Sequence, residues 1–209
     1  MTTPGFGNGN PRDSRRISGA LSLSALLLFG QTAPLLANPT GGAVVAGSAT
    51  IGAAGKTLSI NQSSNNAIIN WQTFSIASGE TTRFFVPNSN SSTLNFVAAG
   101  NPSAIFGTLS SNGHLFLINP SGILVGSTGR IDTAGFLGST LNPNGGGSGT
   151  ITFSGNSTAS IKNLGSISAS SGDVYLIANE VTNKGSAQDR RTGSTYRPCV
   201  RVNVEDERR

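Results

Sequence analysis

Charge is scarce in this chain of 209 residues: Lys, Arg, Asp and Glu together make up 11% of it. Its solubility therefore rests on Asn, Ser, Thr and main-chain groups. Cysteine and histidine occur once each, as Cys199 and His114. A single cysteine excludes an intrachain disulfide, and with one histidine no usual zinc set can be assembled. Helical periodicity is also missing, because beyond residue 37 no segment holds a 3.6-residue hydrophobic period for two turns. What the chain has in quantity is glycine, 28 residues of it, set between short apolar runs. The clearest such unit is His114-Leu115-Phe116-Leu117-Ile118, then Asn119-Pro120-Ser121-Gly122, then Ile123-Leu124-Val125. It reads as a short strand, a sharp turn and a second short strand.

The formal net charge of +5 invites a nucleic-acid reading, but the position of the charges argues against one. Arg12, Arg15 and Arg16 against Asp13 leave the first 37 residues at +2, and six arginines against four acids leave residues 186–209 at +2. The body keeps Lys56, Arg83, Arg130, Lys162 and Lys184 against Glu80, Asp132, Asp173 and Glu180. Five scattered cations make no phosphate-tracking stripe, so nucleic acid is not expected as a partner.

Residues 1–37 read as an export signal. Three arginines precede the apolar run Ile17 to Phe29, which is short and interrupted by serine, and Gln31-Thr32-Ala33-Pro34-Leu35-Leu36-Ala37 supplies a helix breaker and a small residue for cleavage between Ala37 and Asn38. The competing reading is a membrane anchor, but no charges stop the run on its far side.

From Asn38 onward strand signals dominate. Val44-Val45, Thr57 to Ile60, Ala67 to Trp71, Thr82 to Val86, Leu94 to Val97, Ile151 to Phe153 and Val174 to Ile177 are short, β-branched or aromatic, and bounded by Gly, Asn, Ser and Pro. Two internal echoes point to a solenoid. Ile161-Lys162-Asn163-Leu164-Gly165-Ser166 returns as Val181-Thr182-Asn183-Lys184-Gly185-Ser186, 20 residues later. Gly113 to Ile118 returns as Gly172 to Ile177, 59 residues later, which is close to three such steps. A period near 20 is one circuit of a β-solenoid. In that register Asn163 stacks on Asn183 as an amide ladder, and Gly165 and Gly185 are expected at corners needing positive φ.

These residues resemble the N-terminal secretion domain of the filamentous haemagglutinin family, the exported partner in two-partner secretion. The resemblance runs from about Asn38 to about Ser186. It is carried by Asn61 to Ile76, by Leu94-Asn95-Phe96-Val97 with Asn101-Pro102-Ser103-Ala104-Ile105-Phe106-Gly107, by the strand–turn–strand unit above, and by Ile131 to Leu137. The family's Asn-Pro-Asn-Gly-Ile motif falls on Asn119-Pro120-Ser121-Gly122-Ile123, where serine is expected to supply the turn bond of the missing asparagine. Its Asn-Pro-Asn-Leu motif has no clean counterpart around Pro87 to Leu94. The resemblance implies an all-β, right-handed parallel β-helix with an N-terminal cap, preceded by the signal peptide. It implies passage through the general export machinery and recognition in the periplasm by an outer-membrane transporter with docking domains. The product then stands secreted or at the cell surface, with host or surface glycans as further partners. Asn70, Asn101, Pro102, Asn119, Pro120, Ser121, Gly122 and Ile123 are the positions expected to carry the secretion motif. Extended segments such as Ala67 to Ile76 are expected to add strands to a docking domain.

No catalytic set emerges, and neither metal nor cofactor is expected. His114 sits in a strand pattern as a surface or half-buried residue. The acids Glu80, Asp132, Asp173 and Glu180 would have to pair across coils to build a carbohydrate-cleaving solenoid, which is the alternative reading. Trp71, Phe74, Phe84 and Phe85 suit core filling better than sugar stacking. Gly145 to Gly149 lacks a phosphate-loop lysine and reads as a flexible excursion. The arginine-rich stretch 187–209 breaks the strand alternation and is read as a disordered or frame-shifted tail rather than a designed basic extension.

Overall fold

The computed structural model describes residues 38–98, 100–144 and 151–189. The expected signal peptide with Ala37, the Gly145 to Gly149 run and the arginines from Arg190 onward lie outside the described residues.

Among the described residues nineteen short strands follow one another: β1 (Ala43–Ala46), β2 (Ala49–Ala54), β3 (Thr57–Gln62), β4 (Asn66–Trp71), β5 (Thr81–Phe85), β6 (Ser92–Val97), β7 (Ser103–Ile105), β8 (Thr108–Ser111), β9 (His114–Ile118), β10 (Ile123–Val125), β11 (Arg130–Thr133), β12 (Gly135–Ser139), β13 (Asn142–Asn144), β14 (Thr152–Ser154), β15 (Ser160–Asn163), β16 (Ser166–Ala169), β17 (Val174–Ile177), β18 (Glu180–Asn183) and β19 (Ser186–Asp189). No helix occurs among the described residues. Seventeen of the strands stack into three sheets, ordered β1-β4-β6-β9-β12-β17, β2-β3-β5-β8-β11-β16-β19 and β7-β10-β15-β18, and β13 and β14 pair by themselves. From β6 onward consecutive strands, the hairpin β13–β14 aside, visit the sheets in rotation, and the result is a β-solenoid of about five turns. The pairings within the three sheets are parallel except β1 with β4 and β2 with β3, which are antiparallel and lie at the N-terminal end. The ladder runs on through Asp189, three residues past the end of the family resemblance.

Alternation explains why these segments stack. β3 and β6 place every second side chain inside, and one inward column reads Leu58, Thr82, Leu109, Ile131, Ile167, Ala187 from coil to coil. Each coil alone cannot cover its apolar face, so burial comes only from its neighbours.

Coil length varies. Register partners Thr57, Thr81, Thr108, Arg130, Ser166 and Ser186 give steps of 24, 27, 22, 36 and 20 residues. The long step contains the antiparallel hairpin β13–β14. This corrects the spacing read from sequence: Leu115 pairs with Phe136 and Phe136 with Val174, so the 59-residue echo spans two coils rather than three. The residue alignment of the echo holds; the hairpin absorbs one coil's worth of chain.

The 20-residue echo behaves as expected in one respect and not in another. Asn163 is fully buried and donates through Nδ2 to Asn183 Oδ1 at 2.9 Å, so the amide ladder forms. Gly165 and Gly185, however, do not have positive φ. They are required for closeness instead: a Cβ on Gly165 would lie 2.3 Å from the Gly129 carbonyl oxygen, and one on Gly185 would lie 2.1 Å from that of Gly165. Together with Gly107 and Gly129 they precede β8, β11, β16 and β19 at the same corner, where main chain stacks on main chain.

Polar side chains also enter the core. Asn95, fully buried between Ile69 and Leu117 in register, accepts a hydrogen bond from Trp71 Nε1 at 2.9 Å and donates to the Phe116 carbonyl at 3.2 Å. Trp71 in turn meets Phe74 edge to face with ring centroids 5.6 Å apart. Trp71→Phe keeps the ring packing but orphans Asn95 Oδ1. The expected loss is about 1–3 kcal/mol, read from the urea midpoint; an unchanged midpoint would show that Oδ1 finds another donor.

Candidate functional site: the Asn-Pro-Ser-Gly corner

The turn after β9 is built by one side chain. Asn119 is completely buried. Its Oδ1 accepts from the Ser121 N–H at 2.9 Å, and its carbonyl accepts from the Gly122 N–H at 3.0 Å, which closes the turn over Pro120. Proline suits that place because its φ is preset and it has no N–H to satisfy. Gly122 has φ 111°, a conformation that favours glycine. The expected turn bond from the Ser121 hydroxyl is not what shapes the corner: Ser121 contributes its main-chain N–H, and the side-chain bond comes from Asn119.

The other half of the Asn119 amide faces the preceding coil. Nδ2 donates to the Asn101 carbonyl at 3.0 Å and to Ser103 Oγ at 2.9 Å, while the Asn119 N–H donates to the Ser139 carbonyl of the following coil at 2.9 Å. The Ser103 N–H donates to the Gly122 carbonyl at 3.0 Å, and Ile123, nearly fully buried, pairs with Ser103 on one side and Ile161 on the other. The chain returning from the hairpin covers the outside, where Ser157 Oγ donates to the Pro120 carbonyl at 2.6 Å. Thus Asn101, Pro102, Asn119, Pro120, Ser121, Gly122 and Ile123 gather at one edge of the solenoid. Asn101 and Pro102 stay exposed, as does Pro120.

Asn70 stands apart. It pairs with Phe96, which pairs with Ile118, so it lies two coils toward the N-terminal end, and it is exposed. Asn38, expected to begin the mature chain, is tied into that end: Nδ2 donates to the Lys56 carbonyl at 3.0 Å and Oδ1 accepts from Thr82 Oγ1 at 2.9 Å. Ser103, Ser139 and Ser157 were not singled out from sequence, because each acts across a coil boundary and a lone serine in a serine-rich chain carries no local signal.

Ala67 to Trp71 forms most of β4, which is bonded on both sides, to β1 and β6. In the folded molecule it therefore has no free edge to add to another sheet.

The residues considered for catalysis do not converge. Asp132 lies between Ser110 and Ser168 in register and contacts Arg130. Glu180 lies beside Ser160, Glu80 accepts from the Ala77 N–H at 3.1 Å, and Asp173 accepts from the Tyr175 hydroxyl at 2.8 Å. His114 is half-buried on the outer face beside Gly135. Among the described residues, no three His, Cys, Asp or Glu side chains form a metal-binding group, and no helix is long and apolar enough to cross a membrane. Of the four aromatics singled out, Trp71, Phe74 and Phe84 are buried in the core and Phe85 is 42% exposed.

A parallel β-solenoid of low charge, with interior amide bonds and a buried asparagine corner, places the chain in the class of β-helical proteins. A family model of the TPS (two-partner) secretion domain matches residues 36–196. A heme/hemopexin-binding protein of Haemophilus influenzae is 34% identical over 116 residues, covering 53% of this chain and 13% of that protein. A second protein of that description from the same species is 36% identical over 83 residues, covering 40% and 9%. The crystal structure of the HMW1 secretion domain from Haemophilus influenzae superposes with a TM-score of 0.66 and 36% identity, over 73% of this chain and 42% of that one. The chain belongs to the TPS secretion domain family, the exported side of two-partner secretion systems.

Proposed function

We propose that this chain serves as the secretion address of an adhesin-like exoprotein. It is delivered by the general export machinery, shorn of residues 1–37 at Ala37, and read in the periplasm by an outer-membrane transporter with docking domains. From there it passes to the cell surface or the medium. Family membership supports the reading. The observation that carries it is the burial of Asn119. A partner that reads the Asn119 amide must meet it before the coils close, so recognition belongs to the unfolded chain. Slow, non-local strand pairing keeps such a chain threadable, and an unfolded Ala67 to Ile76 still has two free edges to offer. Right-handed winding, the rule for parallel crossovers, and a cap formed by antiparallel β1 and β2 complete the proposal. Coil-by-coil folding outside then biases movement outward.

Asn70 separates recognition from folding, because its side chain is exposed in the folded state. Co-expressed with a two-partner transporter, Asn70→Ala is expected to lower export severalfold while the unfolding free energy of the purified chain in urea stays within about 0.5 kcal/mol of the original. Full export of both Asn70→Ala and Asn119→Ala would overturn the assignment of the motif. The secreted product should begin at Asn38, which its intact mass will show.

A further inference from the structure

Of the four aromatics weighed for sugar stacking, Phe85 is the one that the core does not absorb. It stands on the outer face of β5, and the Arg83 guanidinium lies over its ring, 4.6 Å from the centroid. Alongside runs a shallow groove of about 190 Å³, lined by Arg83, Phe84, Phe85, Ser110, Ser111 and Asn112. The parallel register explains its composition. Arg83 pairs with Ser59 below and Ser110 above, and Phe85 pairs with Asn61, so hydroxyls and an amide surround one ring and one cation on a flat face. The nearest acid in that column, Asp132, lies beyond Ser110 and is engaged by Arg130. Asn112 is fixed in place: its Oδ1 accepts from the Val86 N–H at 2.8 Å and its Nδ2 donates to the Val86 carbonyl at 2.7 Å, which leaves one amide hydrogen over.

We propose that this groove binds a carboxylate-bearing pyranose, a sugar of the uronic acid type. A guanidinium held against a ring loses little freedom when it engages an anion, and its planar fork matches a carboxylate bidentately better than a compact ammonium does. The exposed part of the Phe85 ring offers an apolar surface to sugar C–H groups, and Ser110 and Asn112 are at hand for ring hydroxyls. Neither a bare phosphate nor an acidic peptide uses that combination of ring, hydroxyl and amide. The inference is independent of the export reading, since it concerns the folded surface.

The test is isothermal titration of the purified full chain with oligoglucuronate, its methyl ester, neutral gluco-oligosaccharide, a sulfated oligosaccharide and a poly-glutamate peptide. Oligoglucuronate is expected to bind and the ester and neutral sugar to fail. Arg83→Gln is expected to weaken binding about tenfold or more and Arg83→Lys severalfold, from the lost charged hydrogen bonds. Phe85→Ala is expected to weaken it severalfold as well. Both side chains point outward, and an unchanged far-ultraviolet spectrum together with unchanged transporter-dependent export keeps folding and secretion out of the result. Equal binding by Arg83→Gln, equal binding of the ester, no binding of oligoglucuronate, or indifference between glucuronate and the sulfated or peptide anions would each overturn the proposal.

Discussion

Asn119→Ala is expected to be among the most damaging single substitutions in the solenoid, lowering folding stability by about 2–4 kcal/mol. The alanine leaves three groups without their partner: Ser103 Oγ, which is fully buried, the Ser121 N–H of a half-buried residue, and the carbonyl of the exposed Asn101. Each buried polar group so orphaned costs about 1–3 kcal/mol, less whatever the loosened turn recovers from water. Asn119→Asp should not rescue, because an oxygen would then face the Asn101 carbonyl. Urea unfolding of the purified chain measures both, and an unfolding free energy for Asn119→Ala within about 0.5 kcal/mol of the original would sink the account of the corner. The same variant bears on export in a separable way. Because folding outside biases movement outward, lost export of Asn119→Ala reports on recognition of the side chain only if Gly165→Ala, weakened to a similar degree away from the motif, is still exported.

Gly165→Ala is expected to cost about 3 kcal/mol, toward the upper end for overpacking. Its new methyl would sit 2.3 Å from the Gly129 carbonyl oxygen and 2.4 Å from that of Gly126. Both are main-chain atoms, and the Gly129 carbonyl also accepts the Ser166 N–H at 3.0 Å. Relief therefore requires moving one coil off the next and stretching that ladder bond. Gly52→Ala is the matched control: it lies in β2 with ordinary φ and nothing within 4 Å of the added carbon, and it should change stability by less than about 0.5 kcal/mol. Similar midpoints for the two variants would mean that the stacked-glycine corner is not sterically tight.

Much of this architecture was legible residue by residue. Thr57 to Ile60, Leu94 to Val97 and Val174 to Ile177 declare themselves as strands through β-branched and aromatic residues between turn formers, and each is a strand of the ladder. The pairing of Asn163 with Asn183 followed from a repeat undisturbed by insertions. Where the repeat was interrupted, counting failed: the hairpin carries no periodic signal, so two coils looked like three. The glycines were recognised as corner residues for the wrong reason, because a sequence shows which residue lacks a Cβ but not which neighbouring carbonyl occupies the space. β2, rich in alanine and glycine, gave no strand signal, and its pairing with β3 rests on main-chain bonding.

By itself, then, the sequence determined the local geometry: short strands, the Asn-Pro-Ser-Gly turn, and the alternation that turns one apolar face inward, all of which act within a few residues through backbone preference and side-chain period. The tertiary structure alone decided which coil lies on which, that Asn119 spans from Asn101 to Ser139, and that Phe84 fills the core while Phe85 stands outside beside Arg83. Those outcomes depend on register between segments tens of residues apart. Register is set by the lengths of the connecting corners and by how well whole coils cover one another, and no window of neighbouring residues contains that information.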